Sequence, residues 1–502
     1  MRTSEQADAT LQKPVTSQVG RLASDFVWVA SARLVAAVVA LAAVRLSTSL
    51  LSPGEYGLLA MLVTFQVFCG LFLINPVGQY INRHTHAWAD DRTLLVRLRR
   101  YRRWVFFAAF VGAAATTAWA LRQPLTGWER SFVACSVLVM VVAATWNATS
   151  VSLLNMLGHR REAAAWSVAT ALLGLGSSYF LATWIGGGTA WFAGQALGMA
   201  AGAIGSGYAA RRALPPSRTG QWTLLEPGAL SGYVLPLAFA TGCMWWLFSG
   251  HRIMLEFHWG LSALGYVAVG LMVASQLWAL AESQAMQFLF PMFYRRISGA
   301  GVTDRGIAYS DLVNTLVPVY LVLASAAMLA APSLVLLLVD PKYSGVVFWV
   351  LIGTVIECCR ALGNLIATAA QAERRMPVLM LPYSAGAAVL TVGLVCGIYF
   401  RATIMQATLM IACAGVITLC LIAFAMLKIL ALRPDAGRWI AAMLLLALSA
   451  YWTLSMPITP AGKFEALAVL VNVGVLSAVT AGALLWKNAG LARLLAVRLR
   501  SA

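Results

Sequence analysis

Charge is scarce in this chain. Only 11% of its 502 residues are Asp, Glu, Lys or Arg, and the acidic ones number 18. A soluble globule of this length needs a charged exterior, so that class is excluded. Long polar segments are also lacking. The widest gaps between apolar runs lie near 81–103, 210–230 and 291–311, and the gaps on the opposite side span about four to eleven residues. Neither side has room for a soluble catalytic domain. No phosphate-binding GK[ST] loop, HExxH or GxSxG stands in a suitable context, so no enzyme and no cofactor are expected. The 8 cysteines (Cys69, Cys135, Cys243, Cys358, Cys359, Cys396, Cys413 and Cys420) all fall in apolar runs, none with CxxC spacing. They read as packing residues rather than metal ligands or redox groups.

What the chain has instead is apolar length. Hydrophobic residues make up 61% of it, and mean hydropathy is +0.79. Runs long enough to cross ~30 Å of hydrocarbon occur near 26–46, 57–80, 104–121, 131–155, 163–184, 189–209, 231–254, 262–290, 312–337, 344–370, 376–399, 403–427, 439–455 and 465–486. Turn signals such as Ser52-Pro53-Gly54, Gly186-Gly187-Gly188 and Asp340-Pro341 separate them. No small-residue cleavage site follows the first run, which is therefore expected to be retained. The formal net charge of +18 would suggest nucleic acid in a soluble chain. Here the basic residues sit in short loops between spans, which makes them a topological signal and excludes nucleic acid as a partner.

With the N-terminus inside, alternation places 27 of the 36 Lys and Arg in cytoplasmic segments, five in outer loops and four within spans. Each inner segment holds at least two and no outer loop more than two, the pattern of the positive-inside rule. The fold class is all-α: a polytopic membrane protein of about 14 spanning helices with both termini cytoplasmic. The expected organisation is a cytoplasmic segment 1–25, a first lobe 26–209 with spans one to six, and a linker 210–230. A second lobe 231–430 with spans seven to twelve, a last helix pair 431–486 and a tail 487–502 follow. An internal repeat supports the two lobes. Leu51-Ser52-Pro53-Gly54-Glu55-Tyr56 aligns with Leu261-Ser262-Ala263-Leu264-Gly265-Tyr266 at an offset of 210, and His159-Arg160-Arg161 answers Glu373-Arg374-Arg375 at 214. Two parallel halves around a midplane cavity are a recurring transporter plan.

Charged groups within spans are the informative side chains, because each costs ~2.5–3.5 kcal/mol on insertion scales unless it meets water or a partner. Arg33 lies seven residues into the first span. It either snorkels or lines a wet cavity and attracts an anion. Arg45 is nearer the outer end. Arg252 has Glu256 at i+4 and can pair with it. Glu357 and Arg360 fall mid-span at i, i+3, so an ion pair on an interior face is expected. Glu282 stands alone on the eighth span and is a candidate proton or cation site, as is Glu357. Asn75, Asn147, Asn364 and Gln66 read as interhelical hydrogen-bond links. Pro76, Pro236, Pro318 and Pro382 lie within spans and predict kinks. The stretch Arg97 to Arg103 reads as a positive-inside anchor, with anionic head groups as the alternative.

The stretch Leu51-Ser52-Pro53-Gly54-Glu55-Tyr56-Gly57, after a basic N-terminal helix, resembles the opening of the polysaccharide-biosynthesis flippases. These are the Wzx-type O-antigen and exopolysaccharide flippases of the MOP superfamily. Leu154 to Arg161, Gly250-His251-Arg252 through Gly265-Tyr266, and Asp340-Pro341-Lys342-Tyr343 fit the same pattern. His251 and Ser49 depart from it, where many members carry an acidic residue and an Arg. The resemblance implies two lobes and alternating access in the bacterial cytoplasmic membrane. It implies a polyprenyl-diphosphate-linked glycan as cargo, membrane lipids as surroundings, and a polysaccharide polymerase and glycosyltransferases as partners. Arg33, Arg45, Arg252, Glu357 and Arg360 are then the expected substrate path, because buried arginines suit a diphosphate. Two other classes stay open: a cation-coupled small-molecule antiporter using Glu282 or Glu357, and a non-transporting subunit of a polysaccharide-export complex. Outer loops this short do not match polysaccharide polymerases, ligases or polyprenyl-sugar glycosyltransferases.

Overall fold

The computed structural model describes residues 15–214, 222–373, 375–455, 460–486, 488 and 490. Much of the expected N-terminal segment, residues 215–221 of the linker, Arg374 and the tail from 491 lie outside the described residues. Eleven described helical stretches are long and apolar enough to cross a membrane. One of them, Leu230–Ile297, breaks at Gly260, where φ is 82° and ψ 169°. Leu94–Ala120 and Gly187–Ala213 are two further long helices. The fourteen that result are α1 (Val15–Leu50), α2 (Pro53–Asp90), α3 (Leu94–Ala120), α4 (Gly127–Met156), α5 (Arg160–Trp184), α6 (Gly187–Ala213) and α7 (230–259). They continue with α8 (261–297), α9 (Val302–Leu338), α10 (Val347–Ile366), α11 (Met380–Tyr399), α12 (Ile404–Leu427), α13 (Ala436–Ser455) and α14 (Lys463–Leu485).

Each helix corresponds to one of the apolar runs, but several extend past the hydrocarbon. The gap expected at 81–103 shrinks to residues 91–93, because α2 continues to Asp90 and α3 begins at Leu94. Leu94, Arg97, Leu98 and Tyr101 are buried at helical spacing, so the basic stretch is the amphipathic start of α3 rather than a loop. Arg97 points inward. Its Nη1 donates to Thr223 O at 2.7 Å, and its guanidinium lies 4.4 Å from the Trp88 ring and 5.7 Å from Trp222. That contact ties the interlobe linker to the first lobe.

The helix pairings repeat. In one lobe α1 packs on α5, α4 on α6 and α5 on α6; in the other α7 packs on α11, α10 on α12 and α11 on α12. These are the same partners six helices later, which is the offset-210 repeat in three dimensions. The pair α13 and α14 packs on α9. Close helix contact within the first lobe rests on small residues. A Cβ at Gly194, Gly198 or Gly202 of α6 would stand 2.0–2.3 Å from Ser178, Gly174 or Thr170 of α5. Two of the expected kinks take a specific form: π turns at Cys69–Ile74 and Leu230–Val234 lie just ahead of Pro76 and Pro236. The wider turn absorbs the carbonyl that proline cannot pair.

The two repeat-related turns face each other across the lobes. Gly57 lies so close to α8 that a Cβ there would fall 1.9 Å from Leu261 O, and one at Gly265 would fall 1.8 Å from Pro53 O. Ser52 and Glu55 form a capping box that starts α2 at this seam. Tyr56 and its counterpart Tyr266 flank the Tyr343 ring at 6.1 and 5.6 Å. The end of α1 is stitched to residues 339–343 of the second lobe. Arg45 donates to Val339 O, Lys342 Nζ to Ser49 O at 2.9 Å, and the Tyr343 hydroxyl to Leu51 O at 2.9 Å. Glu256 completes the closure, accepting from Gln123 at 2.7 Å and Trp119 at 3.2 Å. The lobes are therefore sealed on the face opposite the basic loops.

Candidate functional site

Below the seam lies a cavity of about 450 Å³ walled by both lobes. Arg252 and Glu357 line it, with Tyr56, Gln195, Ser275 and His251. Position explains each. The seam brings α2 against α8, so Tyr56 and Ser275 converge, and α7 delivers His251 and Arg252 just before the Gly260 break. The expected pairing of Arg252 with Glu256 is not formed, because Glu256 is engaged by Trp119 and Gln123. Nε of Arg252 is buried and has no hydrogen-bond partner among the described residues. His251 is 1% exposed; its Nδ1 lies 3.0 Å from Leu247 O, which makes it the donor, and Nε2 is left with a free lone pair. Both groups are costly to leave unpaired in a dry interior: the guanidinium suits an anionic guest, and the His251 lone pair beside it accepts a hydroxyl or N–H of the same guest.

A second element joins this cavity to another nearer the basic face. Arg360 donates through Nε to Glu357 at 2.7 Å and through Nη2 to Glu282 at 2.5 Å, and Asn364 donates to Glu282 at 3.3 Å. Glu357 lines the first cavity. Glu282 and Asn364 line the other, of about 420 Å³. The side chains of the triad are 17–23% exposed. Two carboxylates against one guanidinium leave a net negative charge in the wall between the cavities, and Arg252 supplies the compensating positive charge across the first one.

The structure thus brings four of the expected residues together: Arg252, Glu357, Arg360 and Glu282. The Glu357–Arg360 pair at i, i+3 is formed as read. Glu282 is not alone, since a helix 78 residues away provides its partner. Arg45 is spent on the seam. Arg33 is exposed on α1 and is not among the residues that line these cavities. Of the four amides read as interhelical links, Asn147 accepts from Ser206 of α6 at 3.1 Å and Asn364 joins the triad. Gln66 and Asn75 instead line a cavity. Tyr56, Gln195 and His251 were missed. For Tyr56 a signal existed, since it lies in the repeated turn.

No protein-family model and no curated protein matches the sequence. Solved structures do. The lipid II flippase MurJ in an inward closed conformation superposes with a TM-score of 0.58 at 11% identity, over 92% of this chain and 99% of that one. An inward-facing multidrug resistance MATE family transporter of the MOP superfamily gives 0.50 at 12% identity, over 83% and 96%. The chain shares the fold of these two transporter structures. The chain spans nearly the full length of both. It is a multi-pass membrane protein.

Proposed function

We propose that this chain flips an undecaprenyl-diphosphate-linked oligosaccharide from the inner to the outer leaflet of the bacterial cytoplasmic membrane, by alternating access, for polysaccharide biosynthesis. The basic face is then cytoplasmic, and glycosyltransferases and a polysaccharide polymerase act before and after it. One observation carries this reading: an unpaired Arg252 in a cavity shared by two repeat-related lobes. A guanidinium offers the planar fork that a diphosphate accepts bidentately. Exchange of access needs only that the seam at Gly57 and Gly265 opens while the lobes close toward the basic loops. In a strain lacking the protein, lipid-linked intermediates should accumulate in the inner leaflet and surface glycan should fall, with recovery by the wild-type chain. Unchanged surface glycan in that strain would remove the proposal.

The triad supports a second reading, cation-coupled antiport of small molecules. Glu282 and Glu357 compete for one guanidinium, so binding of a proton or cation to either would relieve the excess negative charge. Drug sensitivity of the deletion strain with normal surface glycan would favour it.

A further inference from the structure

A third cavity, of about 330 Å³, lies inside the first lobe between α2, α3 and α4. Its lining is polar but uncharged. Four carboxamides face it, Gln66, Asn75, Gln79 and Asn82, and among the described residues no Asp, Glu, Lys or Arg lines it. All four amides come from one helix, and the sequence explains how. Asn75, Gln79 and Asn82 recur at i, i+4 and i+7 and so form one stripe. Gln66 precedes Asn75 by nine residues, which in a continuous α-helix would put it on the opposite side, about 180° away. The π turn Cys69–Ile74 between them takes up roughly 100° of that rotation and swings Gln66 toward the stripe.

These amides are poorly occupied by the protein. Gln79 donates to Asn75 Oδ1 at 3.3 Å, and among the described residues the Gln79 oxygen and the Asn75 amide nitrogen have no side-chain partner. Gln66 is half-buried, and its side chain makes no hydrogen bond among the described residues. Tyr101, 2% exposed, closes the same wall. Carboxamides that both donate and accept match the paired donor and acceptor character of vicinal hydroxyls. With no cation present, the cavity does not suit a diphosphate. Asn75 and Gln79 also line the cavity that holds Glu282, so an occupant here reaches the space between the lobes.

We infer that this amide-lined cavity binds uncharged sugar residues of the cargo, while Arg252 receives the anionic linkage. The inference rests on the flippase reading and assigns its glycan contacts. It is tested with the purified full-length protein in nanodiscs by native mass spectrometry, using two probes: polyprenyl diphosphate carrying an uncharged disaccharide, and bare polyprenyl diphosphate. The wild-type chain should hold the glycosylated lipid on the order of tenfold more tightly, the gain from about two net hydrogen bonds. Gln66→Ala with Gln79→Ala should abolish that preference and leave the affinity for the bare lipid unchanged. Gln79→Met, which keeps the side-chain volume, should show part of the same loss should the double variant fail to fold. Equal wild-type affinity for both lipids, or a preference that survives the substitutions, overturns the sugar site and leaves the flippase reading standing. Failure of the wild-type chain to bind either lipid above a phospholipid control overturns both.

Discussion

Replacing Arg360 by Gln removes the cation that separates two carboxylates. Glu282 and Glu357 each lie within 2.7 Å of the same guanidinium, which places the two anions within roughly 6 Å of one another. At an effective dielectric constant near 20 their repulsion is about 3 kcal/mol. That agrees with the lower end of the ~3–5 kcal/mol lost when one partner of a buried pair is deleted, as suits side chains about one-fifth exposed. Single neutralisations behave differently. Glu357→Gln or Glu282→Gln leaves a balanced one-to-one pair and should cost under about 1 kcal/mol. The triple change Arg360→Gln, Glu282→Gln, Glu357→Gln removes every charge of the triad and should recover most of the loss. Thermal unfolding in detergent, followed by fluorescence-detected size exclusion, should show Arg360→Gln lowered by about 5 °C, with the triple variant near wild type. Transport by the triple variant should be lost, because no titratable group then joins the cavities. A triple variant no more stable than Arg360→Gln would refute the charge-balance reasoning.

Gly57→Ala or Gly265→Ala inserts a methyl where less than 2 Å is free. Overpacking of this kind costs ~1–3 kcal/mol. It should raise labelling of a Ser47→Cys reporter by a membrane-impermeant maleimide from the face opposite the basic loops by about tenfold, and unchanged labelling would mean the seam is not the gate. Arg97→Ala removes the guanidinium that lies over both Trp88 and Trp222 and its bond to Thr223. Hydrogen exchange over residues 222–229 should accelerate, and unaltered exchange would show the linker is held elsewhere. Arg33→Ala should leave both abundance and surface glycan near normal, because the side chain is exposed on α1 and lines neither interlobe cavity; surface glycan that falls at normal abundance would put Arg33 on the cargo path.

The fourteen apolar runs are legible because a bilayer sets their length, and the two lobes because Leu51 to Tyr56 and Leu261 to Tyr266 share a pattern. That these two turns meet each other is not legible, since spacing along a chain does not reveal which helices pair. The Glu357–Arg360 contact follows from i, i+3 geometry, whereas the share of Glu282 in it comes from another helix. Arg33 shows the same limit from the other side. The helix α1 is apolar all round, so its periodicity does not say which face meets a neighbour, and the side chain is exposed. The amide stripe is obscured by a register change: the π turn ahead of Pro76 is what moves Gln66 toward Asn75 and Gln79.

Movement of the cargo itself tests the account most directly. The purified chain would be reconstituted into vesicles with a fluorescently labelled undecaprenyl-diphosphate oligosaccharide, and transfer between leaflets followed by quenching from outside. The wild-type chain should move the label, and Arg252→Gln, folded and present in equal amount, should do so at least about tenfold more slowly, the equivalent of one charge-assisted contact of ~1.5–3 kcal/mol. Vesicles in which the wild-type chain leaves the labelled lipid in place but exchanges small organic cations for protons would contradict the flippase and establish the antiporter.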